Sequence, residues 1–200
     1  MSTSETPMPR PRLLVLASTY PRWRGDPEPS FVHELSRRLT SQFEVTALCP
    51  HARGAASREE VDGVRVIRYR YAPDQLEVLV NDGGIVANLR LAKWKLLLVP
   101  TFVLVQLVIA WKLVRRGEVD AIHAHWILPQ GLVAVLASHA RRGRCVPVLV
   151  TSHGADLFAL RGRIARMLKR FVVRHSATTT VVSEGMRTPM LALGAYPATL

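Results

Sequence analysis

The chain has 200 residues, of which 48% are hydrophobic and 21% are charged, which excludes a disordered or fibrous protein and predicts one globular domain. The net charge of +12 comes mostly from arginine and would suit nucleic acid, anionic lipid or sugar phosphates as partners. No arginine run exceeds two residues and no basic tract is interleaved with aromatic residues, so we expect no nucleic-acid binding.

Cysteine usage and the N-terminal residues indicate the compartment. Cys49 and Cys145 provide neither a disulfide framework nor a paired-cysteine metal motif, which is typical of a reducing environment. Residues 1–11 are rich in proline, serine and threonine and lack the apolar stretch of a signal peptide. We therefore expect a disordered leader over residues 1–11, a folded domain over residues 12–200, and a cytoplasmic location.

Strand-like and helix-like segments alternate along the chain. Strands are predicted over residues 12–18, 43–48, 64–69, 119–123, 146–151 and 178–182. Helices are predicted over residues 31–39, 131–140, 163–174 and 184–193. A polar loop is expected over residues 51–62, and residues 72–90 favour no single pattern. The alternation is typical of an α/β fold in which a parallel sheet is flanked by helices.

Two of these helices are amphipathic, so the sequence also predicts which side chains point inward. In the helix over 31–39 the apolar face contains Phe31, Val32, Leu35 and Leu39. In the helix over 163–174 the predicted inward residues are Ile164, Met167, Leu168, Phe171 and Val172.

Residues 96–111 form the most apolar segment, with Thr101 and Gln106 as its only polar members. Basic residues flank it on both sides, namely Lys93, Lys95, Lys112, Arg115 and Arg116. A membrane-spanning helix needs roughly 20 apolar residues, so this segment is short for one. A buried helix, a helix in the membrane interface and a true span all remain open. The basic flanks would favour contact of residues 94–116 with an anionic membrane surface.

Histidines mark the ends of two predicted strands. His153 follows the strand over 146–151, and His123 and His125 lie on one side of the strand that begins at residue 119. Ligands bind at the carboxyl ends of strands in open α/β sheets, so we expect these residues to share one crevice. Three histidines could also bind a metal, but no carboxylate or cysteine completes a ligand spacing, and we expect none.

Two further features could contribute to a ligand site. Gly25 is the only glycine in the loop after the first strand, where it would let the backbone approach a phosphate, although a simple proline-rich turn explains it equally well. Trp126 could stack on a sugar ring or pack in the core. Ser152 adjoins His153, but neighbouring residues at a strand end point apart, so a nucleophile–base pair is not expected.

Taken in order, these segments resemble the N-terminal domain of the family 4 glycosyltransferases, which are retaining enzymes of GT-B architecture. The resemblance covers residues 12–200. It rests on Thr19-Tyr-Pro21 with Gly25-Asp26, Phe31-Val-x-Glu-Leu-x-x-x-Leu39, Glu44-Val-Thr46, Ile122-His-Ala-His-Trp126 with Gly131, Thr151-Ser-His-Gly-Ala-Asp156, and Thr180-Val-Val-Ser183. It implies a Rossmann-like sheet that forms the acceptor-side half of a two-domain transferase.

The resemblance also implies roles for particular residues. His153 would contact the transferred sugar and act in catalysis, and Gly25 with Asp26 would lie near the phosphates of the donor. His125, Trp126, Gly154 and Asp156 would contact the acceptor or the sugar. No cofactor or metal is implied, because cationic side chains and a helix N-terminus can offset the charge of the leaving diphosphate. The partners would be a nucleotide sugar and a glycan or lipid-linked acceptor.

The second, nucleotide-sugar-binding domain of the family has no counterpart in these 200 residues. We therefore expect the chain alone to be inactive, with that domain supplied by a separate chain or by a longer polypeptide. The alternative is a non-catalytic binding module of the same fold, peripheral to the inner face of the plasma membrane.

Overall fold

The computed structural model describes residues 9–26, 28, 30–81 and 83–196. Its strands are β1 (Arg12–Leu16), β2 (Glu44–Pro50), β3 (Arg58–Val61), β4 (Val64–Tyr69), β5 (Ala121–His125), β6 (Val148–Ser152) and β7 (Thr178–Val181). Its helices are α1 (Phe31–Leu39), α2 (Gly84–Leu91), α3 (Val99–Arg115), α4 (Leu132–Ser138), α5 (Ala155–Phe158), α6 (Arg163–His175) and α7 (Arg187–Ala192).

The strands form one sheet in the order β3-β4-β2-β1-β5-β6-β7. All neighbours are parallel except β3, which pairs antiparallel with β4 at the edge. Counted in chain order, the parallel strands are arranged 3-2-1-4-5-6, which is the doubly wound Rossmann order. The predicted α/β fold is confirmed, and its strand order reverses between β1 and β5.

The apolar core lies on both faces of the sheet. One cluster joins Val32 of α1 to β1, β2 and β4, and the other joins α3, α4, α6 and α7 to the opposite face. This division follows from the strands, whose successive side chains point to opposite faces: Leu13 and Val15 belong to the first cluster, Leu14 and Leu16 to the second.

Several sequence-based boundaries are wrong. The predicted polar loop over 51–62 contains β3, whose side chains alternate between exposed and half-buried as expected of an edge strand. The undecided region holds α2 and a 3-10 turn over Asp74–Leu76. The helix predicted over 184–193 is a 3-10 turn over Glu184–Met186 followed by α7. The predicted leader lies mostly outside the described residues.

The predicted inward faces of two helices are also partly wrong. In α1, Phe31 and Leu35 are exposed, whereas Val32 is buried together with the polar His33 and Ser36. In α6, Ile164 is 72% exposed and Met167 is 62% exposed, whereas Lys169 is buried. In both helices the covered face is rotated from the most apolar stripe, because the neighbouring elements, β2 for α1 and α4 with its preceding turn for α6, decide which residues are covered.

The apolar segment forms a 3-10 helix over Lys93–Leu98 that continues into α3. By length and composition, the two together could cross a membrane. Only 28% of their most apolar stretch is buried within the protein. One face packs on the core through Phe102, Gln106, Ala110 and Val114. The helix is thus half integrated into the domain, and its outer face is apolar and uncovered among the described residues.

Candidate functional site

The crevice lies at the carboxyl ends of β1, β5 and β6, where the strand order reverses. A cavity of about 270 Å³ opens there. Its wall comes from the loop after β1, the start of α1, the residues before and within α2, the turn after β5 and the residues around α5. The lining includes Thr19, Phe31, Ile85, Trp126, Leu128, Asp156 and Leu160. Open α/β sheets bind ligands at this position.

Three histidines stand beside this cavity. The rings of His123 and His125 are 4.3 Å apart between centroids, because the two residues are separated by one position on β5 and point to the same face. Nδ1 of His125 lies 3.0 Å from Nε2 of His153, which follows β6. The three histidines therefore meet, since β5 and β6 are neighbours with His125 opposite Thr151, but they lie behind the cavity wall and do not line it.

Burial keeps these imidazoles neutral. It lowers the pKa of His123 to about 4, and burial together with the two neighbouring imidazoles lowers the pKa of His125 to about 2. Burial also lowers the pKa of His153, although the charge of Asp156 opposes the shift. At neutral pH the cluster consists of uncharged hydrogen-bonding groups.

The hydrogen bonds determine the tautomers. Nε2 of His125 is buried and has no partner among the described residues. Buried N–H groups without an acceptor are rare, so the proton of His125 belongs on Nδ1, where it is donated to Nε2 of His153. His153 then carries its own proton on Nδ1, the ring atom available to a ligand.

Aromatic rings surround His153. The ring of Phe31 lies 4.7 Å and that of Trp126 lies 5.0 Å from the imidazole, between centroids. Both aromatic residues also line the cavity, whereas His153 does not. Trp126 has a φ of 74°, a conformation that is costly for a bulky residue and concentrates at functional sites.

Asp156 supports the cluster from below. Its Oδ2 accepts a hydrogen bond from the backbone N–H of Ile127 at 2.6 Å, and its Oδ1 accepts bonds from the Ser152 hydroxyl at 3.0 Å and the His153 N–H at 3.3 Å. The carboxylate therefore connects the turn after β5 to the turn after β6. Gly154, with a φ of 100°, makes the second turn possible.

Gly25 and Asp26 lie in a neighbouring cavity of about 250 Å³ rather than in the histidine crevice. The side chain of Asp26 is fully buried and pairs with Arg22 at 2.7 Å. Arg22 lowers the pKa of Asp26 to about 2, chiefly by hydrogen bonding. The carboxylate thus shapes the loop, and Gly25 is one of several residues, including Arg24 and Arg68, that line this cavity.

Three further residues of the site were not predicted from the sequence: Phe31, Thr151 and Thr180. Thr151 bonds Nε2 of His123 at 2.8 Å and the Thr180 hydroxyl at 2.7 Å, which links β5, β6 and β7. The position of Phe31 was an available signal, because the first turn of a helix that follows β1 faces the ligand-binding edge of the sheet.

One group of side chains has the composition of a metal site. Possible ligand atoms of His51, Asp74 and Glu77 lie within 4.8 Å of one another. However, His51 Nδ1 bonds Glu77 at 2.5 Å and Arg70 pairs with Asp74. An arginine beside the cluster supplies the positive charge that a cation would bring, so we interpret it as an ion-pair network at the end of β2.

The comparisons agree with this description. Residues 30–200 match the model of the glycosyl transferase 4-like domain. No curated protein matches the sequence. Among solved structures, UDP-N-acetylglucosamine 2-epimerase from Rickettsia bellii matches with a TM-score of 0.52 and 10% identity. The match covers 95% of this chain and 43% of that chain, so the chain spans less than half the length of that enzyme.

At 10% identity the structural match shows the fold alone. The family match extends over most of the sequence and includes α1, both histidine-bearing strand ends and the turn at Gly154. The chain therefore belongs to the glycosyl transferase 4-like domain family.

Proposed function

We propose that this domain forms the acceptor-side wall of a retaining GT-B glycosyltransferase, which moves a sugar from a nucleotide sugar to a glycan or lipid-linked acceptor. The observation that carries the proposal is the neutral histidine cluster beside the exposed ring of Phe31 and the half-buried ring of Trp126, at the strand-order reversal of a glycosyl transferase 4-like domain. Aromatic faces suit the C–H faces of a sugar, and neutral imidazoles suit its hydroxyl groups.

Within this proposal His153 is the catalytic residue. Its Nδ1–H would contact a hydroxyl group of the transferred sugar, while His125 would hold the ring in place by donating its Nδ1–H to Nε2 of His153. Trp126 and Phe31 would pack on the sugar or acceptor. Gly154 and Asp156 would fix the backbone around them. The loop at Gly25 would lie near the donor phosphates.

The donor contacts would come from a second domain that binds the nucleotide sugar, in the same polypeptide or in a separate chain. This part is supported by the length of the matched enzyme, of which the chain covers 43%. No metal is required in this proposal, and the protein would act at the cytoplasmic side.

A fusion tests the assignment. The nucleotide-sugar-binding domain of a two-domain relative is joined after residue 196, and transfer from labelled UDP- and GDP-sugars to glycans and lipid extracts is measured. We expect product from the fusion, none at enzyme-like rates from the chain alone, and at least about a 100-fold loss with His153→Ala. The matched control is His175→Ala, an exposed histidine of α6, which should leave the rate unchanged.

Three results would contradict the proposal. They are absence of transfer by the fusion, equal rates for His153→Ala and the unaltered fusion, and a product whose anomeric configuration is inverted relative to the donor, as read by NMR. Enzyme-like transfer by the chain alone would overturn the requirement for a second domain.

A specific observation favours a second, compatible function, which is docking on an anionic membrane. The outer face of α3 and its approach carries Leu97, Leu104, Val108 and Trp111, with Leu91 and Trp94 nearby. Leu91 and Leu97 are 81% and 80% exposed. No acidic residue occurs between positions 83 and 117, whereas six basic residues do: Arg90, Lys93, Lys95, Lys112, Arg115 and Arg116.

This combination suits a membrane interface rather than a span, because the inner face of α3 is part of the core. A membrane-docked domain would meet a lipid-linked acceptor at the bilayer surface. Liposome flotation tests this: vesicles with anionic lipid should bind the protein, and Lys112→Glu, Arg115→Glu and Arg116→Glu together should abolish binding.

The control is the same charge change at Arg24, Arg38 and Arg58, which are exposed elsewhere in the fold. Binding that survives the α3 variant, or that is lost equally in the control, would contradict the docking role.

A further inference from the structure

A third cavity, which is strongly basic, lies next to the histidine crevice. It has a volume of about 600 Å³ and is formed by the end of α5, the loop into α6, α6 itself and α7. Its polar lining is entirely cationic: Arg161, Arg166, Lys169 and Arg170. No aspartate or glutamate occurs between positions 157 and 183, and the carboxylate of Asp156 in α5 is already bonded to Ile127, Ser152 and His153.

Lys169 is the most informative member of this group. It is only 5% exposed, yet its ammonium makes one hydrogen bond, to the carbonyl oxygen of Leu157 at 2.8 Å. Among the described residues no carboxylate lies within ion-pair distance of it. A buried ammonium with unused donors is costly, and burial accordingly lowers the pKa of Lys169, although the charge of Asp156 opposes the shift.

Arg166 and Arg170 add two guanidinium groups to the same cavity. Neither forms an ion pair with any residue that the structure describes. Guanidinium groups bind phosphate oxygens in pairs, and a lysine adds a point charge. A phosphate group would supply acceptor oxygens to both guanidinium groups and to the N–H donors of Lys169 that Leu157 leaves unused.

The basic cavity adjoins the crevice. Leu160 lines both, and the short helix α5 contributes Asp156 to the crevice and Leu157 and Phe158 to the cavity. A molecule with a phosphate in the cavity could therefore extend past Leu160 toward Trp126. The apolar residues of the basic cavity would contact its carbon skeleton.

We propose that this cavity binds the phosphate or diphosphate group of a phosphorylated acceptor, either a soluble sugar phosphate or a lipid-linked one. The assignment of the anion to the acceptor rests on the proposed transferase function. The binding of phosphate itself follows from the cavity and does not depend on catalysis.

Calorimetric titration of the purified chain with pyrophosphate tests the site, with acetate at matched ionic strength as the reference anion. We expect saturable pyrophosphate binding and at least a tenfold weaker affinity in the Arg166→Gln, Arg170→Gln variant. Lys169→Met should weaken binding by a similar factor. Because both arginines are exposed, the double variant should keep its fold, which circular dichroism checks.

The matched control is Arg38→Gln, Arg58→Gln, which removes the same charge from α1 and β3 and should not alter pyrophosphate affinity. Two further probes distinguish the sources. Competition by glucose 1-phosphate would indicate a soluble acceptor, whereas arginine-dependent binding to phosphatidic acid vesicles, compared with fatty acid vesicles of equal charge, would indicate a lipid-linked one.

The inference is overturned if pyrophosphate binds no better than acetate, or if the double variant and the control lose affinity equally. Neither result needs sugar transfer, so they are distinguishable from failure of the transferase proposal. Conversely, a chain that binds pyrophosphate through Arg166 and Arg170 but never supports transfer would retain the anion site and lose the acceptor assignment.

Discussion

Two histidines of β5 occupy positions where most proteins place apolar residues. His123 and His125 are buried, and each is held by a neutral hydrogen-bonding partner rather than by a carboxylate. A buried imidazole without a counter-charge loses far more by protonation than an exposed one. The site is therefore organised for neutral hydrogen bonding, and its stability depends on pH.

We expect the free energy of unfolding to fall as the pH is lowered from about 6.5 to 4.5. His123 has a pKa of about 4 in the folded state and 6.5 in the unfolded state, so the unfolded state binds more protons in this range. Acid therefore stabilises the unfolded state relative to the folded state. Chemical unfolding measures this fall at each pH. Between pH 6.5 and 4.5 the free energy of unfolding of His123→Gln should fall by about 2 kcal/mol less than that of the unaltered protein. Identical slopes in the two proteins would contradict the assignment.

Asp156 shows how one buried side chain determines the geometry of a site. It accepts bonds from Ile127, Ser152 and His153, and no other described carboxylate is close enough to replace it. Removal would leave two backbone N–H groups and a hydroxyl group without their acceptor. Each buried group left in this way costs about 1–3 kcal/mol.

Asp156→Ala should therefore reduce the free energy of unfolding by about 3 kcal/mol. Asp156→Asn retains one acceptor, the amide oxygen, and should reduce the free energy of unfolding by less. Urea unfolding of the two variants can compare these values. Equal stabilities for the alanine variant and the unaltered protein would show that the two turns are held together by other contacts.

At the scale of elements, the contact between α6 and the turn that precedes α4 depends on the absence of a side chain at Gly131. A Cβ there would lie 2.8 Å from Cγ1 of Val172 and 3.3 Å from the carbonyl oxygen of Trp126. Both distances are shorter than ordinary van der Waals contact. The glycine thus allows α6 to approach the turn that carries Trp126.

Gly131→Ala should destabilise the protein by about 1–3 kcal/mol, because the packed neighbours must move. Val172→Ala removes the closest atom, so the double variant should lose less stability than the sum of the two single variants. Thermal unfolding of the three variants measures this coupling, and strict additivity would contradict the proposed contact.

Helix α3 has two apolar faces, one buried in the core and one exposed. Phe102 is fully buried against Tyr69 and Tyr71, with ring centroids 5.6 and 5.2 Å away, whereas Leu104 on the same helix is exposed. A helix that left the domain to cross a membrane would lose the first set of contacts. Integration into the core and docking by the outer face are, by contrast, compatible.

Phe102→Ala should cost about 3–5 kcal/mol in membrane-free buffer, whereas Leu104→Ala should change stability by less than about 0.5 kcal/mol. Urea unfolding of both variants gives the comparison. A negligible effect of Phe102→Ala would indicate that α3 is not part of the folded core.

At the scale of the whole molecule, the basic residues behind the net charge of +12 lie in surroundings of different chemical character. Near α3 the basic residues flank an apolar stripe, and around α6 they line a cavity. Electrostatic attraction between exposed charges is screened by salt, whereas insertion of apolar side chains is not.

Binding to anionic vesicles should therefore weaken when the salt concentration rises from about 0.1 to about 1 M, because the Debye length falls from about 10 to about 3 Å. Any residual binding at high salt should be lost in a Leu97→Glu variant, in which the apolar contribution is removed. Co-sedimentation measures both effects. Binding that is indifferent to salt would contradict an electrostatic role for the basic flanks.

The sequence by itself determined the alternation of strands and helices, and it placed His123, His125 and His153 at two strand ends. These are local properties: strand periodicity sets the side on which each residue lies, and the parallel order brings carboxyl ends to one edge. The edge strand β3, the exposure of Phe31 and Ile164, and the burial of Lys169 were decided only by the tertiary structure. Burial depends on which distant elements cover a residue, and the basic cavity exists because α5, α6 and α7, separated along the chain, meet around one lysine.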